Sequence, residues 1–160
     1  RVDGLAVFVQ HGAHAAVAAP RQHDVALLQR ATLHQDGGHD IRRRDGASFS
    51  PSQMFIGEYS LGKKWTTRYA ISFAKGGEDK IELDLKVVGK ETITVPAGTF
   101  DCFKVEAQGW VLGISQSMEY TYWIAPDKVN RHIAMDIWWR KGNRISRSER
   151  QELVAYTRAD

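Results

Sequence analysis

Cysteine occurs once in the 160 residues, at position 102, which excludes an internal disulfide and any zinc site built from several thiolates. No apolar run reaches the roughly 18–20 residues that a membrane-spanning helix needs, so no membrane span is expected. A dominant charge is missing too. The net +3 divides evenly, with six Arg against five Asp in residues 1–50 and sixteen Lys plus Arg against fourteen Asp plus Glu afterwards. Neither part has the positive field of a nucleic-acid binder. Catalytic and cofactor signatures are equally scarce. No glycine-rich phosphate loop occurs, and GISQS (113–117) lacks the second glycine of a nucleophile elbow. The expectation is no cofactor and no enzymatic activity, a hydrolase being the weaker reading.

A second absence is local. Residues 1–50 contain no Lys, Glu, Trp, Tyr, Asn, Cys or Met, whereas residues 51–160 hold all nine Lys, all eight Glu and all five Trp. The chain therefore divides into a leader (1–50) and a domain (51–160). The leader is either a flexible Ala/Arg/Gly/His-rich segment with too little apolar content to order itself, or the product of a GC-rich stretch read out of frame. Within it, HDVALLQRATLHQ (23–35) has the pattern of a short helix capped by Asp24. The apolar stretch 5–20 imitates an export signal, but Gln10, His11 and His14 interrupt it, so no credible signal peptide is expected there. His11, His14, His23, His34 and His39 are the residue type that binds zinc, copper or nickel. Without a scaffold to fix their geometry, no metal site is expected.

What the second part does have is alternation. In KIELDLKV (80–87), Ile81, Leu83, Leu85 and Val87 point one way and Lys80, Glu82, Asp84 and Lys86 the other, the period of a strand with one buried face. KWTTRYAISFA (64–74) precedes it across the turn KGGED, and GKETITV (89–95) continues it beyond a glycine that suggests a bulge. Pro96, Ala97 and Gly98 then supply turn chemistry, read as a three-residue loop with Gly98 left-handed. The return strand from Thr99 to Gln108 puts Phe103, Val105 and Ala107 on one face and Phe100 and Cys102 on the other. Nothing local activates Cys102 as a nucleophile, and it reads as an inert thiol; whether His132 lies beside it is not readable from spacing. SQSMEYTYWIAP (115–126) and RHIAMDIWW (131–139) alternate again around the loop PDKVN, and residues 144–158 form either a long wet edge strand or a strand after a polar linker. Consecutive strands with short turns and no convincing helix after residue 50 predict a mainly-β fold, a curved antiparallel meander of half-barrel type, preceded by a poorly structured or partly helical N-terminal segment.

LGKKWTTRY (61–69), GKETITVPAGTFDCFKVE (89–106), YTYWIAPDKVNRHIAMD (120–136) and SERQELVAY (148–156) together resemble a bacterial envelope family known only as a domain of unknown function, the 3108-like group. The resemblance spans about residues 57–158. It implies a half-barrel sheet similar to periplasmic lipoprotein carriers, a periplasmic location and no catalytic residues. Two partner classes follow. In the first, Phe103, Val105, Tyr120, Tyr122, Met135 and Ile137 line a concave face for a lipid or other apolar ligand; in the second, a sheet edge adds a strand from another envelope protein. The basic run RKGNRISRSER (140–150) is either a solvated hairpin or a contact for anionic headgroups.

Overall fold

The computed structural model describes residues 6–13, 41–42, 48–50, 52–129 and 131–156. Among them run nine strands and no helix: β1 (Ala6–Ala13), β2 (Ile41–Arg42), β3 (Ser48–Phe49), β4 (Lys64–Ser72), β5 (Glu78–Val95), β6 (Gly98–Leu112), β7 (Gln116–Ile124), β8 (His132–Lys141) and β9 (Arg144–Tyr156). All pair antiparallel in one open sheet of order β1-β9-β8-β7-β6-β5-β4-β3-β2. From β2 to β9 every strand lies beside its sequence neighbour, which is the expected meander. The helix expected over 23–35 and the residues His14, His23, His34 and His39 lie outside the described residues.

Two features differ from the sequence reading. The sheet extends into the leader: β1, rich in Val and Phe, pairs along Ser148–Tyr156 of β9, and β3 pairs with Ile71 and Ser72 of β4. β9 is consequently an interior strand and not a wet edge. The Pro-Ala-Gly turn is also tighter than three residues. Val95 pairs directly with Gly98, so Pro96 and Ala97 alone form the loop, and Gly98 sits at φ 133°, a region open to glycine.

Alternation sorts the side chains onto two faces. On the first, Tyr69 of β4, Ile81, Leu83, Leu85 and Val87 of β5, Val105, Ala107 and Val111 of β6, Met118, Tyr120, Tyr122 and Ile124 of β7, and Met135 and Ile137 of β8 make the main core. Each large side chain here contributes roughly 1.5–3 kcal/mol by leaving water. Among the described residues no second sheet or helix lies on this one, so other residues must cover this face. Met54, Phe55, Ile56 and Tyr59, from the irregular segment between β3 and β4, do so.

The opposite face is mostly wet but carries a smaller core at one end. There Val95, Phe100 and Cys102, from the far end of the β5–β6 hairpin, meet Trp123, Ala125, Val129, Ile133, Ala134 and Leu153. The Ala97 N–H donates to the Leu153 carbonyl at 3.0 Å. In a flat sheet the hairpin tip would stand three to four strand spacings, about 15–19 Å, from β9. The hairpin must therefore bend across the ends of β7 and β8, and the bulge between Val87 and Gly89 lies where that bend starts. Trp123 anchors it: its Nε1–H donates to Glu91 at 2.8 Å, and the Lys104 ammonium and Arg150 guanidinium lie over its ring.

Gly109 is the most closely packed of the described glycines. A Cβ there would sit 2.0 Å from the Glu82 carbonyl oxygen and 2.4 Å from Leu83 Cδ2. Gly109→Ala is expected to lower stability by about 3 kcal/mol or more, whereas Gly57→Ala, with open space around it, should stay within about 0.5 kcal/mol. Urea unfolding of both variants checks this; equal midpoints would contradict the packing described.

Candidate functional site

The strand registers bring the six expected lining residues together. Phe103 pairs with Ile124, Val105 with Tyr122, and Tyr122 in turn with Met135, while Tyr120 pairs with Ile137. Paired residues point to the same side, so Phe103, Val105, Tyr120, Tyr122, Met135 and Ile137 share the first face. In the structure that face is filled by the chain itself. Phe55 packs edge-on against Tyr122, and Tyr59 stacks on Phe103 and meets Trp65 edge-on.

The covering strap, residues 53–59, has no regular structure and is fastened by few hydrogen bonds. Tyr122 Oη donates to the Met54 carbonyl at 2.7 Å, the Gln53 N–H to Thr67 Oγ1 at 2.8 Å, Trp65 Nε1–H to the Gln53 carbonyl at 2.8 Å, and the Ile56 N–H to Tyr59 Oη at 3.0 Å. Deeper in the core, the Tyr69 and Tyr120 hydroxyls lie 3.1 Å apart. Burial pushes the Tyr59, Tyr69 and Tyr122 phenols above their ordinary range, so they remain hydrogen-bond donors at any physiological pH.

On the β8–β9 side the same face turns polar, a feature the sequence pattern did not disclose. Ile137 pairs with Glu149 and Met135 with Gln151, so both β9 residues point toward the core. Glu149 is buried, accepting from Gln151 Nε2 at 2.6 Å and from Arg147 Nη2 at 3.1 Å. Because the Gln151 amide nitrogen donates to that carboxylate, its oxygen must accept, and the His132 Nε2–H at 3.1 Å is the donor. Phe55 stacks on the His132 ring with centroids 5.9 Å apart. The chain Glu149–Gln151–His132 thus borders the strap. In the run SERQELVAY these inward polar residues look no different from solvated ones.

Cys102 and His132 do not meet. Phe103, Ile124 and His132 align on the first face, which places Cys102 on the other. Its thiol points at the Phe100 carbonyl, and burial, with Asp101 and Asp127 adding repulsion, pushes its pKa up to about 12. No group of three or more His, Cys, Asp or Glu among the described residues could hold a metal ion. A shallow depression of about 260 Å³, lined by Ser52, Gln53, Thr66, Thr67 and Arg68, lies beside the strap and includes none of the six expected lining residues.

Two measurements bear on this arrangement. Cys102 should react with a disulfide reagent at about pH 8 more than about a hundredfold slower in the native protein than in urea; comparable rates would show an accessible thiolate. His132 is held neutral by burial, with a lesser push from Arg131, which lowers its pKa from 6.5 to about 3. Below pH 6.5 the unfolded chain protonates this ring and the native one does not. Its contribution is therefore complete above that pH and declines toward about pH 3, by up to about 1.4 kcal/mol per unit. His132→Gln should narrow its stability gap to wild type as pH falls from about 7 to about 4; a constant gap would exclude a buried neutral imidazole.

Against this geometry, residues 70–128 match the family described as DUF3108-like, a domain of unknown function. The matched stretch runs from β4 through the β7–β8 loop and includes the bent hairpin and Trp123. Neither a curated protein nor a solved structure matches the chain.

Proposed function

From the premise that residues 70–128 carry a DUF3108-like domain, we propose that the chain is a non-catalytic binding module for an apolar or amphipathic ligand, such as a lipid, working in the bacterial cell envelope on the periplasmic side. The observation that supports it is the strap. Among the described residues, a continuous apolar face across β5–β8 is covered by an irregular segment with few fastenings, with no helix or second sheet over it. An acyl chain makes the same dispersion contacts as Met54, Phe55 and Ile56 and can replace them, so the ligand site is a face the protein keeps closed with its own residues. The Glu149–Gln151–His132 chain at its border offers polar partners for a headgroup, the mixture of apolar lining and few polar groups that small-molecule sites use. The envelope location rests on the family resemblance.

A ligand that competes with the strap gains from every weakening of the strap. Phe55→Ala removes one aromatic anchor and should tighten binding of the fluorescent apolar probe N-phenyl-1-naphthylamine by about tenfold. Native mass spectrometry of the full chain purified from bacteria should show a co-purified lipid mass. No saturable probe binding in either protein, with circular dichroism reporting an intact sheet, would rule the reading out.

A further inference from the structure

Seven large hydrophobic side chains are exposed among the described residues: Leu61, Phe73, Val88, Trp110, Leu112, Ile114 and Ile145. Five of them gather at one end of the sheet. Lys80 pairs with Leu112, Gln116 with Lys141, and Lys141 with Arg144, so the β4–β5, β6–β7 and β8–β9 turns all project from that end. Phe73 and Ile114 lie in or beside these turns. One rung inward, Glu82, Trp110, Ser117, Arg140 and Ile145 are paired in series across the sheet. Trp110 and Ile145 therefore point to the same side, opposite the strap, and Leu112, two residues beyond Trp110, points there too. Each of Trp110, Leu112 and Ile114 has about half its surface in water, at 53%, 51% and 52%.

On the β5 side the β6–β7 tip borders Glu82, which pairs with Trp110 and is engaged by Arg68, and Glu78 and Asp79 with Lys80 near the β4–β5 turn; on the β8–β9 side positive charge prevails. Residues 109–118, GWVLGISQSM, contain no charged side chain, so the β6–β7 tip is a neutral apolar wedge. The neighbouring β8–β9 hairpin, residues 140–150, carries five Arg or Lys against the single Glu149. Glu149 is buried on the strap side, and Glu119, the carboxylate nearest the wedge on β7, is engaged by Arg140 at 3.0 Å. Among the described residues no ion pair involves Lys141 or Arg144. Lys141 and Arg144 are paired in series with Gln116 and Val111 and so stand at the same end on the strap side; a surface met end-on contacts the apolar tip and these cations together.

We propose that this end of the sheet docks on the surface of an anionic lipid bilayer, the β6–β7 tip entering the headgroup region and the β8–β9 hairpin lying on the phosphates. A tryptophan at the depth of the headgroups is the side chain favoured at membrane interfaces. Burial of Leu112 and Ile114 adds hydrophobic attraction, and each cation close to an anionic surface raises the binding constant by about fivefold. The surface is distinct from the strap-covered face, so docking and ligand binding stand or fall separately.

The test is flotation of the full chain with vesicles of phosphatidylglycerol and phosphatidylethanolamine, and with vesicles of phosphatidylcholine alone. Wild type should float with the anionic vesicles, less so as salt rises from about 50 to about 500 mM, and weakly with the neutral ones. The double variants Trp110→Ser/Ile114→Ser and Lys141→Glu/Arg144→Glu alter exposed side chains and should keep the thermal midpoint of wild type while binding anionic vesicles at least tenfold more weakly. Absence of wild-type binding, equal binding to neutral vesicles, or undiminished binding by both folded variants would overturn the proposal. So would a concentration-dependent dimer lost in Trp110→Ser/Ile114→Ser without any vesicle binding, which would assign the wedge to a second copy of the chain.

Discussion

The described residues form a one-layer sheet with two faces and no second layer to bury them, and most of the described architecture follows from how the chain meets that constraint. The β5–β8 strands carry apolar side chains on the first face over their central length, while Phe100, Cys102 and Trp123 add an apolar patch to the second. Both surfaces need covering. The first receives the 53–59 strap; the second receives the far end of the sheet's own longest hairpin, bent over and pinned through Trp123 and the Ala97–Leu153 hydrogen bond. The two solutions differ in kind. The bent hairpin keeps its strand ladder throughout, whereas the strap has no ladder and depends on packing and a few side-chain bonds. That contrast is why a functional reading attaches to the strap side.

Three of the four stretches that carry the family resemblance have a shared structural role, while LGKKWTTRY contributes Trp65 and Tyr69 to the main core. Val95 and Phe100 around the Pro-Ala turn, Trp123 and Ala125 in the Tyr-Trp-x-Ala-Pro stretch, and Leu153 near the end of SERQELVAY are distant in sequence but converge in the small core. Each stretch supplies one wall. Their residue types are then accounted for by packing: a tight turn that can swing over, a large ring with an N–H to satisfy, and small residues where the turn lands.

What could be read in advance followed from periodicity. KIELDLKV, TFDCFKVEA and MEYTYWI alternate cleanly, so the strands, their inward faces and the shared face of the six residues were legible, as was the burial of Cys102. The strap was not, because Met54, Phe55 and Ile56 form a run without period, and an apolar run with no alternation does not announce which surface it will cover. Glu149 and Gln151 were hidden for the opposite reason. Their inward position is set by the register of β9 on β8, which a run of mixed polar residues does not reveal, and composition at the start of the chain gave no sign that Ala6–Ala13 would pair on the far side of β9. The two-residue turn at Pro96 sits against Leu153, a tertiary contact that local turn chemistry does not indicate.

The meander has a kinetic corollary. Every pairing from β2 to β9 joins strands adjacent in sequence, so the sheet can zip up hairpin by hairpin with short loop closures. The contact between Tyr122 and the Met54 carbonyl spans 68 residues and gains its partner face only after β5, β6 and β7 have aligned. Ordering of the strap therefore follows the alignment of those strands, and with few side-chain fastenings it can reverse without breaking their ladder. Amide protons beneath residues 53–59 would exchange through an opening that leaves the ladder intact, giving the molecule a rhythm of uncovering slower than side-chain motion and faster than global unfolding.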